Sequence, residues 1–526
     1  MKGGRPNMIK RHLYRRKRKS KNEEKQAAEN GMIARDLQTN LKYFKRLKEH
    51  HADLVIRKFK IGGTDKNACV VYMNELVDKQ VINNHILKML MVDWPEAYST
   101  ENADSISPAA LFDFTHDHIL AVNNVKEGQS YSELLLAVLR GSTVLMIDGI
   151  NTALILDTVN KKKKALGGSF SEVVVRGSNT AFIDTLEDNM ALLRQNLVNP
   201  DLTFFELNVG RRTQCRVIIA YLNGLANPRL VEEVKNRIRK IDTDQILDSG
   251  YLEQFIEDNP LSPFPQLQNT ERPDRVIAAL NEGRVAILVD GSPYVLIAPV
   301  AFWMFLQSPE DYYERWIPGT LIRWLRYLAA FISLFLPSIY IAFTSFHYGL
   351  IPTELAISIT ATREGVPFPA FIEALFMEFA VEILREAGLR LPKTVGQTVS
   401  IVGGLVIGES AVRAGIASPI MVIVVAITAI CSFAIPQYSA GISLRYLRFA
   451  VMSFAALIGL YGLVLFFLLM TIHLVRLESF GYPYLAPAAP VRVQDLKDLL
   501  FRAPLFRMKR RPQLLKPEDQ VRQRGT

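Results

Sequence analysis

From about residue 50 to 315, short apolar runs rich in valine and isoleucine alternate with charged amphipathic stretches, the texture of an α/β fold. Two runs stand out, VLMIDGINTALIL at 144–156 and VAILVDGSPYVLI at 285–297. Each reads as strand, turn, strand, with Asp148-Gly149 and Asp290-Gly291 at the bends, because Asp-Gly supplies the positive φ a tight hairpin demands. A helix-like segment precedes each, YSELLLAVLR at 131–140 and DRVIAALNE at 274–282, so a helix–hairpin unit occurs twice. Two similar subdomains follow, 51–165 and 166–312. The basic run at 161–164 before Ala-Leu-Gly-Gly marks an exposed linker between them. The second opens with SEVVVRGSNTAFIDTLEDNMALLRQNL, which reads as a Val-rich strand, an Arg-Gly turn and a helix carrying Leu186, Met190, Leu193 and Leu197.

Beyond residue 313 the pattern becomes that of a bilayer segment, with no Asp, Glu, Lys or Arg in 327–346 or 449–475. An all-α polytopic membrane domain is expected over 313–480, with spans near 325–348, 394–413, 416–436 and 448–475. Pro337, inside the first, is expected to kink or locally unwind it. Residues 367–390 have helical period but carry Glu373, Glu378, Glu382 and Glu386, so they read as an amphipathic or re-entrant helix. Charge sets the orientation. Residues 1–60 hold 19 Lys/Arg against 6 Asp/Glu, and the tail from 485 onward holds 10 against 4. Both termini are therefore cytosolic, which four crossings satisfy. Residues 1–50 read as a basic, disordered extension and 481–526 as a basic cytosolic tail. The block at 15–19 fits anionic lipid better than nucleic acid, given the spans.

Candidate chemistry concentrates in the acidic helix. Glu378, Glu382 and Glu386 fall within about 80° of arc at 100° per residue. Several copies around an axis would stack these carboxylates into rings that attract cations; a surface-lying helix with its acidic face in water is the plainer alternative. Glu409 and Arg413, four apart at the end of a Gly-rich segment, read as partners, since an unpaired charge there is costly. Catalysis is not supported. There is no H-E-x-x-H, no Cys-x-x-Cys, no G-x-S-x-G and no Gly-Lys dipeptide, and Cys69, Cys215 and Cys431 are too scattered for a disulfide framework or metal cluster. No cofactor or metal is expected.

The long strings VVVRGSNTAFIDTLEDNMALLRQNL, DSGYLEQFIEDNPLSPFPQ, REGVPFPAFIEALFMEFAVEILREAGLRLPK and GLVIGESAVRAGIASPIMVIVVAITAI resemble the A subunits of the GerA-type spore germinant receptors. So does the tail YPYLAPAAPVRVQDLKDLLFRAP; together the resemblance covers about residues 120–505. It implies a subunit in the spore inner membrane that mediates germination beside a B-type transporter-like subunit and a C-type lipoprotein. It further implies homo-oligomerisation into a ligand-gated cation-conducting channel, with the acidic helix and the Glu409 to Arg413 region in family motif stretches. The basic residues 1–25 are less characteristic of that family. A SpoVAF-like germination-amplifying subunit shares the same pattern. A secondary transporter binding solute at a broken helix near Pro337 is the rival from another class.

Overall fold

The computed structural model describes residues 31–94, 107–119, 124–160 and 174–523, together with 122, 168 and 172. The basic residues 1–25 and the linker at 161–164 lie outside the described residues. By their internal contacts the residues form two compact units. One comprises Met1–Gly168, Thr180–Tyr251 and Glu271–Val295; the other comprises Ser169–Asn179, Leu252–Thr270 and Leu296–Thr526.

The first subdomain begins earlier than composition suggests. Within the supposedly disordered 1–50, Leu37–Lys48 is a helix, α1, which buries Leu37, Leu41 and Phe44 at helical spacing. Asp36 caps it by accepting from the Gln38 and Thr39 N–H groups, and Lys45, Arg46 and Lys48 sit in the last turn, where the helix dipole favours cations. The basic residues are the wet side of an amphipathic helix. There follow β1 (Leu54–Lys60), β2 (Asn67–Met73), β3 (Val125–Gly128), α2 (Tyr131–Leu139), β4 (Thr143–Ile147) and β5 (Ala153–Leu156). They form an antiparallel sheet in the order β1-β2-β4-β5-β3. Alternate residues of β2 and β4 point to two separate cores. Cys69, Val71, Val144 and Met146 meet α1 and α2, whereas Val70, Leu145 and Ile147 meet Ile86, Leu90 and Trp94 on the other face. Burial on both faces explains why these strands are uninterrupted apolar runs.

The second subdomain repeats the plan with α3 (Leu186–Asn196), β6 (Leu202–Val209), β7 (Cys215–Leu222), α4 (Pro228–Arg239), α5 (Ser249–Ile256), β8 (Gln268–Thr270), α6 (Pro273–Asn281), β9 (Val285–Val289) and β10 (Val295–Ala298). Its sheet order is β6-β7-β9-β10-β8, the same topology. The repetition reaches single hydrogen bonds. Asn40 brackets the backbone of Ala34, and Asn189 brackets Ile183 in the same way. Gly149 and Gly291, with φ of 91° and 82°, donate to the carbonyls of Arg35 and Asp184 respectively. Both Asp-Gly bends thus connect paired strands and tie them to the segment that opens each subdomain. The Val-rich stretch before α3 is not a strand in its described part: residues 174–176 are irregular and lie outside the five strands of the sheet.

A buried charge cluster joins the two subdomains. Arg194 on α3 grips Asp53 with two nitrogens, at 3.0 and 3.1 Å. It also donates to the Leu202 carbonyl at 2.7 Å, contacts His51 Nδ1 at 2.9 Å and lies 4.5 Å over the Phe204 ring. The side chains of Arg194 and Asp53 are each 1% exposed. Beside them the backbones of the two subdomains exchange hydrogen bonds, Ala52 to the Phe204 carbonyl and Phe204 to the His50 carbonyl. Burial, and then the neighbouring Arg194, push the His51 pKa down to about 4, against an opposing pull from Asp53.

Most of the other unit is helical: α7 (Trp316–Ser345), α8 (Thr353–Arg363), α9 (Ala370–Arg390), α10 (Lys393–Arg413), α11 (Pro419–Phe433), α12 (Tyr438–Ile458) and α13 (Leu460–Arg476). Two of them, α7 and α12, are long and apolar enough to cross a membrane; α11 and α13 are shorter apolar helices. α7 runs unbroken through Pro337, so the expected local unwinding is not there. The single span expected at 448–475 is instead two helices, α12 and α13, divided at Gly459. Its φ is +62°, and a Cβ there would lie 2.9 Å from that of Phe346. A charge-free run does not register that break, since the apolar pattern continues across it. The acidic segment expected at 367–390 is the helix α9.

Two outcomes are expected from the subdomain joint. Replacing Arg194 with Leu leaves the Asp53 carboxylate buried without its partner and costs about 3–5 kcal/mol; faster hydrogen exchange at the Ala52 and Phe204 amides measures it. His51 is held neutral in the fold but takes a proton near pH 6.5 when unfolded. Its contribution is therefore fully present above that pH and is lost as pH falls towards about 4. Thermal denaturation across that window should show the loss, and His51→Gln should flatten it.

Candidate functional site

The α9 sequence places Glu373, Glu378, Glu382 and Glu386 along one helix, and each finds an arginine. Glu378 is 2% exposed and is bound by Arg448 of α12. Glu382, one turn on, accepts from Arg445 of α12 at 3.1 Å and lies 3.6 Å from Arg385 of its own helix. Arg385 in turn donates to Ser432 Oγ of α11 at 2.7 Å and lies 4.4 Å over the Phe433 ring. One turn before Glu378, Glu373 is fully buried. It accepts from the Ser418 N–H and Oγ at 2.7 and 2.6 Å, where Ser418 caps the start of α11, and has Arg363 of α8 at 3.5 Å. A carboxylate at a helix N-terminus gains from the dipole as well as from its partner. At the far end, exposed Glu386 pairs with Arg390 at 2.6 Å.

Three carboxylates, Glu373, Glu378 and Glu382, thus face four guanidiniums, those of Arg363, Arg385, Arg445 and Arg448, inside an otherwise apolar helical layer. The face that reads as acidic in sequence is neutralised in the fold. It is not fully saturated: Glu378 Oε1, Arg448 Nε and Nη2 and Arg385 Nε have no hydrogen-bond partner. Partly satisfied buried networks of this kind are costly, because each buried polar atom without a partner has lost its hydration with nothing to replace it.

The remaining sequence candidates separate. Glu409 and Arg413 do pair, at 2.6 Å, but on an exposed face of α10, with side chains 54% and 79% accessible. Pro337 is buried inside continuous α7. Asp148, Gly149, Asp290 and Gly291 serve the hairpins of the N-terminal subdomains and have no part in this centre. Among the described residues no group of three or more His, Cys, Asp or Glu is arranged to hold a metal ion, and all three cysteines are free. Sequence reading missed Arg445 and Arg448. Their signal was present: two arginines at three-residue spacing in an apolar stretch directly before an uncharged run, in a chain with an acidic helix to match them.

Residues 42–514 match the family described as Bacillus/Clostridium GerA spore germination protein. The chain is 41% identical over 492 residues to spore germination protein B1 of Bacillus subtilis (strain 168), covering 94% of this chain and 100% of that one. It is 43% identical over 493 residues to spore germination protein KA of the same organism, covering 94% and 89%. The crystal structure of the N-terminal domain of the A subunit of the Bacillus megaterium spore germinant receptor GerK3 matches at 34% identity and a TM-score of 0.39, covering 52% of this chain and 97% of that one. This chain belongs to the GerA family of spore germination proteins.

Proposed function

We propose that the chain is the A subunit of a nutrient germinant receptor in the spore inner membrane, where several copies surround an axis and form a gated path for monovalent cations. Its helical region crosses the bilayer with both termini cytosolic, and a transporter-like B subunit and a lipoprotein C subunit complete the receptor. The basic residues 1–25 hold to anionic lipid. The observation that carries this reading is the α9 ion-pair centre: glutamates in an apolar layer, each held by an arginine from the same or a neighbouring helix. Such an arrangement is a closed state with carboxylates in reserve. In the open state α9 moves relative to α12, Glu378 and Glu382 exchange arginine for passing cations, and ions leave the spore core. Germinant binding on a partner subunit drives the exchange only by favouring the open state over the closed one.

Two experiments in spores test it. Glu378→Gln with Glu382→Gln, in protein that still assembles, is expected to lower germinant-triggered potassium release on the order of tenfold; undiminished release removes both glutamates from the ion path. Arg448→Met leaves Glu378 buried and unpaired in the closed state alone, so release without germinant is expected to rise on the order of tenfold or more. A silent resting state in that variant would mean the pair does not hold the gate.

A further inference from the structure

The C-terminal tail is not a free extension. Leu499 and Leu500 lie along the start of α7, their carbonyls accepting from the Tyr327 hydroxyl at 2.8 Å and from Trp324 Nε1 at 2.6 Å. Asp498 receives Tyr312 and Arg323, at 2.6 and 3.2 Å. Arg502 is buried, its amide donating to Thr320 Oγ1 and its guanidinium to the Tyr312 carbonyl. These contacts set the tail at one level of the helix. The uncharged run of α7 begins at Tyr327, and tryptophan and tyrosine concentrate where hydrocarbon gives way to water. The strap is therefore fastened at the edge of the apolar span.

What the strap presents outward is amphiphilic. Phe501, whose ring lies 5.4 Å from that of Trp324, is exposed, as are Leu505 and Phe506, the last at 67%. They continue the exposed apolar face that α7 itself carries at Leu321, Leu325 and Leu328. Directly after them come exposed Arg507, Lys509 and Arg510. Apolar side chains beside a compact basic cluster, anchored at the end of an apolar helix, match a bilayer surface of negative charge on both counts.

We infer that the segment Phe501 to Arg510 is a membrane-surface anchor that inserts Phe501, Leu505 and Phe506 among headgroups and binds anionic phospholipid through Arg507, Lys509 and Arg510. The inference rests on the reading that α7 crosses the bilayer. Its consequence is that the tail ties the first helix of the membrane region to the lipid surface through the Asp498 and Arg502 contacts.

The test uses the full chain, its natural cysteines replaced by alanine, reconstituted into vesicles of phosphatidylcholine alone or with roughly one-third phosphatidylglycerol. An environment-sensitive fluorophore is placed by Met508→Cys, and in a separate protein by Leu328→Cys, with nitroxide quenchers in the headgroup or acyl region. A Leu328 label untouched by acyl quenchers overturns the crossing of α7, on which the anchor depends. With the Leu328 label quenched, the anchor predicts strong headgroup quenching at position 508 in the anionic vesicles and weak quenching in phosphatidylcholine. Raising salt to about 0.5 M should remove it. So should Arg507→Gln, Lys509→Gln and Arg510→Gln together, since three surface charges at about fivefold each weaken association roughly a hundredfold. Quenching at 508 that is absent, or that ignores lipid charge and salt, overturns the anchor and leaves the tail to a protein partner.

Discussion

A charge taken out of water must be met by an opposite charge or by hydrogen bonds, and this constraint decides how the elements of each unit are joined. Hydrophobic burial is non-directional: it says which faces are covered but not which helix covers them. The directional decisions fall to guanidinium–carboxylate pairs. Arg194 and Asp53, 141 residues apart, hold the N-terminal subdomains together. In the helical unit Arg323 and Arg326 both grip buried Asp311, and Arg448 grips Glu378 across 70 residues. Well-packed apolar residues would often serve stability as well or better at such places. What a pair adds is a penalty on every arrangement that separates the partners.

The N-terminal repeat shows where the sequence is legible. Two Asp-Gly bends in apolar runs announce hairpins, because few residue pairs adopt the backbone a tight turn needs. The rest of the repeat was harder to see. Asn40 and Asn189 do the same work in both copies, but one asparagine in a helix of otherwise different residues is not a pattern until the brackets it forms are known. The helix α1 was hidden for the opposite reason. Its wet face is so basic that average charge outweighed the spacing of Leu37, Leu41 and Phe44.

In the helical unit the hydropathy pattern located the apolar stretches and misjudged their ends. The span expected at 448–475 leaves out 438–447, yet these residues form the first half of α12, the helix that carries Arg445 and Arg448. The same two residues explain why Glu378 and Glu382 looked like an open acidic face. Periodicity compares residues within one helix, and the partners of these glutamates lie 70 and 63 residues away on another. Local spacing did succeed where the partner is local, as with Glu409 and Arg413.

The magnitudes bear on whether a paired centre can gate. Moving a two-state equilibrium from 1:99 to 99:1 takes about 5.5 kcal/mol. Breaking one buried ion pair without replacement costs about 3–5 kcal/mol. A single exchange of the Glu378–Arg448 pair per subunit therefore has a free energy of the same order as the bias a switch requires. In the proposed gate, glutamates left unpaired in the closed state would, by their burial, favour opening without germinant. Were they replaced by apolar residues, the closed state would be stable but nothing charged would be released on opening. Pairs that are strong but incompletely satisfied lie between these limits. That is the condition of Glu378, Arg385 and Arg448, each with a buried polar atom still lacking a hydrogen bond.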